Sequence, residues 1–274
     1  MRWRIWAALL AFAIAGGWPD GSWAQSLDFG QGASESPIEV YADNGIEWEQ
    51  DAQIFTARGN ARAVRGDVEV RGDVLRAYYN NAATGTADIQ RLDAEGNVKI
   101  TTPGEEAFGD KAIYDVGNSI LVLQGKKVKL ISGTDTITAD RQLELWEKKH
   151  MAVARGNAYA VREDRRLRAD VLAAHFKPNE DGKSTVHRVE AFGNVYIVTA
   201  GETVTAERGV YNVESGIATL TGSVKITRDL NQLNGCSATV NLKTGKSRLH
   251  ACAGQPASGR RVQGLIQPRG VKKK

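Results

Sequence analysis

Carboxylates are the side chains of this 274-residue sequence that recur at a regular spacing. A small residue followed by an acid appears at Ala42-Asp43, Gly72-Asp73, Gly109-Asp110, Ala139-Asp140, Ala169-Asp170 and Ala206-Glu207, and the next place in the series holds Gly235-Cys236. Metal ligation needs several oxygens converging on one ion, and one acid in roughly thirty residues of repeat does not converge. A role at a bend fits better, the small residue letting the chain turn while the carboxylate accepts a backbone N–H. The histidines, His150, His175, His187 and His250, lack metal-ligand spacing. No G-x-S-x-G elbow, Walker loop or G-x-G-x-x-G occurs, and nothing marks out one carboxylate pair for sugar cleavage. No metal, no cofactor and no catalytic residue is expected.

Cys236 and Cys252 flank the hairpin signal Lys243-Thr244-Gly245-Lys246. A three-residue loop sets them opposite each other, where an exported protein can oxidise them. Pairing Ala238 and Val240 with Ala251 and Leu249 instead needs a two-residue Thr244-Gly245 turn, which puts the cysteines on opposite faces. Both registers stand at this point.

The elements that carry these residues are strands. In Gly193–Leu220, Val195 and Ile197 alternate with Tyr196 and Val198, Ala200-Gly201-Glu202 turns the chain, and Val204, Ala206 and Val210 resume the alternation. Comparable units open at Gly59, Gly96, Gly125, Gly156, Gly193 and Gly222, and the last three repeat the first three at a constant offset of 97 (193 − 96). Self-similarity of this kind signals units that stack to bury a shared core. The pattern predicts an all-β fold of about fourteen to sixteen short, mostly antiparallel strands. Leu143–Ala154, the best helical candidate, is better read as a strand pair.

Residues 1–24 read as a signal peptide: Arg2 and Arg4, an apolar run from Ile5 to Ala15, and Ser22-Trp23-Ala24 as a cleavage site. The apolar run is well short of the roughly 20 residues of a spanning helix. Residues 25–37 read as a flexible lead-in, 38–252 as one repeated body with a 97-residue duplication (193 − 96), and 253–274 as a basic disordered tail. That tail carries Arg260, Arg261, Arg269, Lys272, Lys273 and Lys274 and no acid, so the basic pI of 9.0 belongs to it. The body is net negative and no nucleic-acid groove is expected.

The apolar stripe offers the remaining site. Positions after the repeat glycines put Val98 and Ile100, Val128 and Leu130, Val195 and Ile197, and Val224 and Ile226 on one face. The second strands add Val70, Phe108, Ile137, Leu167 and Val204. Such a stripe either packs into a closed core or lines a greasy cavity.

The units seen at Ala42–Ala61, Ala139–Ala158 and Leu92–Val116, of the form A-D-x(n)-G-N-V-x-I, resemble the OstA-like repeats of the periplasmic LptA lipopolysaccharide-transport family across 38–252. The resemblance implies an elongated, slightly twisted β-jellyroll, open at both ends, whose groove shields lipid A acyl chains. It implies a periplasmic protein, cleaved near Ala24, that bridges the inner and outer membranes. Its partners would be lipopolysaccharide, an LptC-like inner-membrane protein, an LptD-like outer-membrane protein and further copies of itself. The edges expected to pair with them are Ile38 and Val40 at the start and Leu249 and Ala251 at the end. The alternative is a secreted β-solenoid enzyme or adhesin acting on polysaccharide; a bilayer-anchored LptC-like chain is a third.

Overall fold

The computed structural model describes residues 37–81, 87–178, 184–241, 243–244, 246–252 and 261–267; the leader, the lead-in up to 36 and most of the tail lie outside them. Apart from a 3-10 turn at Glu147–Lys149, every described element is a strand. Where one body was expected, the chain divides into two compact units. Among the described residues, the amino-terminal unit is built on 37–158 and 173–186, and the carboxy-terminal unit on 159–172 and 187–267.

The amino-terminal unit contains β1 (Glu39–Tyr41), β2 (Ile46–Glu49), β3 (Ile54–Arg65), β4 (Val68–Asn81), β5 (Ala87–Thr102), β6 (Glu105–Asp115), β7 (Ile120–Gln124), β8 (Val128–Ser132), β9 (Asp135–Ala139) and β10 (Gln142–Trp146). β11 (Met151–Arg162), β12 (Arg165–Pro178) and β13 (Ser184–Val198) contribute residues to both units. The carboxy-terminal unit adds β14 (Thr203–Asn212), β15 (Ile217–Arg228), β16 (Asn231–Asn241), β17 (Lys246–His250) and β18 (Gln263–Leu265). Leu143–Ala154 does form the strand pair β10 and β11, joined by the 3-10 turn. β18 falls inside the stretch expected as a disordered tail.

The paired strands are antiparallel, and the long ones bend, β3, β5, β11 and β13 doing so at a G-N dipeptide. β3 pairs with β2 before Gly59 and with β1 after it, while β6 pairs with β8 before Asp110 and with β7 after it. Each long strand is thus two short segments that serve two sheets, the bend being a β-bulge that leaves extra residues unpaired. At Gly59, Gly96, Gly156, Gly193 and Gly222 φ lies between +72° and +88°, and the following Asn or Ser lies between +43° and +49°. Only glycine adopts the first conformation without strain, and asparagine tolerates the second better than other residues.

Each bulge is clasped by the recurring acid, which lies on the neighbouring strand or in the bend just past it. Asn60 Nδ2 donates to Asp43 at 2.7 Å, Asn97 to Asp73 at 3.1 Å, Asn157 to Asp140 at 3.1 Å and Asn194 to Asp170 at 3.0 Å. Ser223 Oγ donates to Glu207 at 3.4 Å, and the Lys126 backbone N–H donates to Asp110 at 3.0 Å. The acids therefore act at bends, with a side-chain amide as their commonest donor. Among the described residues no group of acids, histidines or cysteines is arranged to hold a metal.

The last hairpin follows neither anticipated register. Ala238 faces Leu249, Val240 faces Ser247 and Asn241 faces Lys246, so the loop spans 242–245. Cys236 and Cys252 nevertheless form a disulfide, with 5.0 Å between their Cα atoms. Cys252 lies just past the ladder, where the strict in-or-out alternation no longer applies.

Candidate functional site: an apolar cavity in the amino-terminal unit

Two rows of side chains face each other in the amino-terminal unit. The register aligns Val40, Ala63, Val70, Ile100, Ala107, Leu130 and Ile137 across one sheet. It aligns Phe55, Ala77, Leu92, Tyr114 and Leu121 across the other. Between them lies a cavity of 420 Å³, lined by residues of both rows together with Ile38, Ile46, Leu75, Tyr79 and Ile89. Its size falls within the roughly 300–1,000 Å³ of ligand pockets. Among the described residues, the charged ones in its lining are Arg76 and Asp93.

The mouth of the cavity is aromatic and apolar. Trp48 stacks on Phe55 with 5.0 Å between ring centroids, and its Nε1–H donates to the Tyr79 hydroxyl at 2.6 Å. Val40, Ile46 and Trp48 remain 40–57% exposed on the two short strands β1 and β2. Arg76 and Lys111 bind Glu95 at 2.8 and 2.9 Å and hold its carboxyl down at about 2. Asp93, the other charged lining residue, is paired with Arg91 at 2.6 Å, so both charges beside the apolar space are neutralised.

The carboxy-terminal unit carries the equivalent rows but packs them shut. Val195, Val204, Leu220, Val224 and Val240 are at most 1% exposed. The space bounded by Leu167, Val195, Ile197 and Tyr211 is only 20 Å³, room for about one water. At the 97-residue offset (193 − 96), Val70 is replaced by Leu167 and Ala107 by Val204 while Leu92 is replaced by Val189 and Leu121 by Ala218, so closure follows from how the side chains meet and not from added carbons. Tyr211 closes it, its hydroxyl buried without a hydrogen-bond partner and its pKa pushed up to about 12 by burial. Its counterpart Tyr114 lines the large cavity and donates to Glu147 at 3.3 Å.

The residues expected to line a groove therefore divide. Val70 and Ile100 face the cavity, and Leu130 and Ile137 continue their row. Val98 and Val128, 2% and 0% exposed, pack at the bends. Leu167, Val195, Ile197, Val204, Val224 and Ile226 belong to the filled interior. Phe108 is a correction: its register neighbours are Lys99 and Lys129 on the outward row, and the Lys99 ammonium lies 5.4 Å from its ring centroid. The second row, from Phe55 to Leu121, was missed. Its signal was the alternation running backward from each repeat glycine, as in Phe55 and Ala57 before Gly59.

A model of the LptA/(LptD N-terminal domain) LPS transport proteins matches residues 39–141 and 136–246. An uncharacterized protein of Rhizobium meliloti (strain 1021) is 28% identical over 106 residues, which are 37% of this chain. The match spans 56% of that relative's length. Among solved structures, the chain is similar to LptH of Pseudomonas aeruginosa, the LptA homologous periplasmic component of its lipopolysaccharide transport device. That alignment has 13% identity and a TM-score of 0.22, and covers 85% of this chain and 97% of LptH. With the family model spanning most of the repeated strands, the chain belongs to the LptA/(LptD N-terminal domain) family of LPS transport proteins.

Proposed function

We propose that this protein is a periplasmic lipopolysaccharide carrier that shelters acyl chain in the amino-terminal cavity. The observation that carries the reading is the 420 Å³ apolar space between two facing sheets. Each methylene left in water costs about 0.8 kcal/mol, so a chain of a dozen carbons costs about 10 kcal/mol. A preformed apolar trough removes most of that cost with no residue-specific chemistry, which agrees with a lining of aliphatic and aromatic side chains. Directional movement takes its energy from elsewhere.

Terminal strands complete the reading. β1 is paired along one side by β3, and β17 along one side by β16. A row of unpaired backbone groups is a template for a strand from another chain. Ile38 and Val40 at one end, and Leu249 and Ala251 at the other, would join copies of this protein to each other and to LptC-like and LptD-like partners.

Photo-crosslinking tests the cavity. A crosslinker in place of Val70 or Leu92, which line it, is expected to capture lipopolysaccharide, and one in place of exposed Arg71 is not. Equal capture from both faces, or capture from Arg71 alone, refutes the carrier reading.

A further inference from the structure

The carboxy-terminal edge is filled in two pieces. β16 pairs with β15 along its whole length, from Asn231 opposite Arg228 to Asn241 opposite Ile217. On its other side β17 covers only Ser237–Asn241. The remaining half of that side is occupied by β18, with Gln232, Leu233 and Asn234 opposite Leu265, Gly264 and Gln263. The Gln267 N–H adds a bond to Asn231 Oδ1 at 2.9 Å.

We propose that β18 is a self-docked cap, which occupies this half-edge of β16 and yields it to strand β1 of a second copy of the chain. The proposal rests on the strand-to-strand association put forward above and adds a competitor to it.

β18 is built to leave. It pairs over three residues, all exposed, with Leu265 63% and the adjacent Ile266 75% open to solvent. So short a ladder with no buried side chain contributes little hydrophobic stabilisation. β17 beside it pairs over five residues, and the Cys236–Cys252 disulfide anchors the end from which the chain departs. The edge therefore stays in place when the cap comes off.

β1 is the matching strand. It too is three residues long, with Val40 and Tyr41 40% and 50% exposed. Charge selects it as well. Residues 37–57 contain Glu39, Asp43, Glu47, Glu49 and Asp51 and no basic residue, whereas 230–274 contain no acid at all. An acidic amino-terminal edge and a basic carboxy-terminal edge attract head to tail and repel head to head.

Sedimentation of the full-length mature chain, compared with its Gly264→Pro and Gln263→Pro variants, tests the cap. Adjacent residues of an antiparallel strand aim their N–H groups to opposite sides, so one of the two prolines removes a ladder donor to β16, and both leave chain length and charge unchanged. Self-association is expected to tighten at least tenfold in the variant that loses its donor to β16 and to weaken with added salt, and a photo-crosslinker at Leu233 is expected to capture Glu39–Tyr41 of a second copy. If the unmodified chain already gives that crosslink and neither proline tightens association, the cap is refuted and strand pairing between copies stands. If no form associates, both are refuted.

Discussion

Cys252 stands to Cys236 as Ser223 stands to Glu207. Thr221 faces Arg208 and Ser223 lies two residues on, bonded to Glu207; His250 faces Ser237 and Cys252 lies two residues on, bonded to Cys236. Both pairs are separated by 16 residues. The disulfide is therefore the last clasp of the series, covalent where the others are hydrogen bonds. Among the described residues, no further long strand follows it to hold the bend by pairing.

Replacing both cysteines by serine is expected to cost about 3 kcal/mol, the chain-entropy value for a closed loop of about fifteen residues. A urea midpoint measured for the oxidised protein and for the double variant checks this. No change in midpoint would mean that the clasp adds nothing to the ladder beside it.

The acid–amide clasps make a coupled prediction. A methyl group added at Gly193 would collide with the Asp170 carboxylate, and φ there is +72°. Gly193→Ala is expected to cost about 1–3 kcal/mol from backbone strain alone, with the collision in addition. In an Asp170→Ala background the collision term disappears and the strain remains, so the two changes are expected to be non-additive in thermal or urea unfolding.

Cavity and filled interior respond oppositely to a larger side chain. Ala77 lines the open space, whereas Ala218 is 0% exposed in the other unit. Ala77→Phe is expected to leave the unfolding midpoint unchanged or raised and to weaken binding of a fluorescent acyl probe at least tenfold. Ala218→Phe overpacks and is expected to cost about 1–3 kcal/mol, with probe binding retained.

Burial raises the pKa of Glu105, only partly offset by its contact with Ser132 at 3.3 Å. A carboxyl whose folded pKa lies above its unfolded value is penalised once charged. Stability is therefore lost as pH rises through the folded pKa and regained as it falls toward the unfolded value of about 4.5. Glu105→Gln is expected to flatten that part of the profile and to be the more stable protein at neutral pH. Parallel unfolding midpoints for the two proteins between mild acid and neutral pH would contradict this.

Much of the fold was legible because its signals are local. Alternation about Val195 and Ile197 marks a strand, and Gly193-Asn194 with Asp170 marks a bend, since only certain residues tolerate left-handed backbone and need a partner there. Phe108 was misplaced because one residue of offset around a bulge moves a side chain to the opposite face. The hairpin register was missed because its loop length, not its apolar pattern, sets which residues meet.

By itself the sequence determined the strands, the bends and the duplicated rows of apolar residues, all of which follow from backbone sterics and a period of two. Only the tertiary structure decided that one interior is open and the other closed. That outcome depends on how side chains meet across two sheets, Val70 and Leu92 in one unit and Leu167 and Val189 in the other, and those partners are distant in sequence.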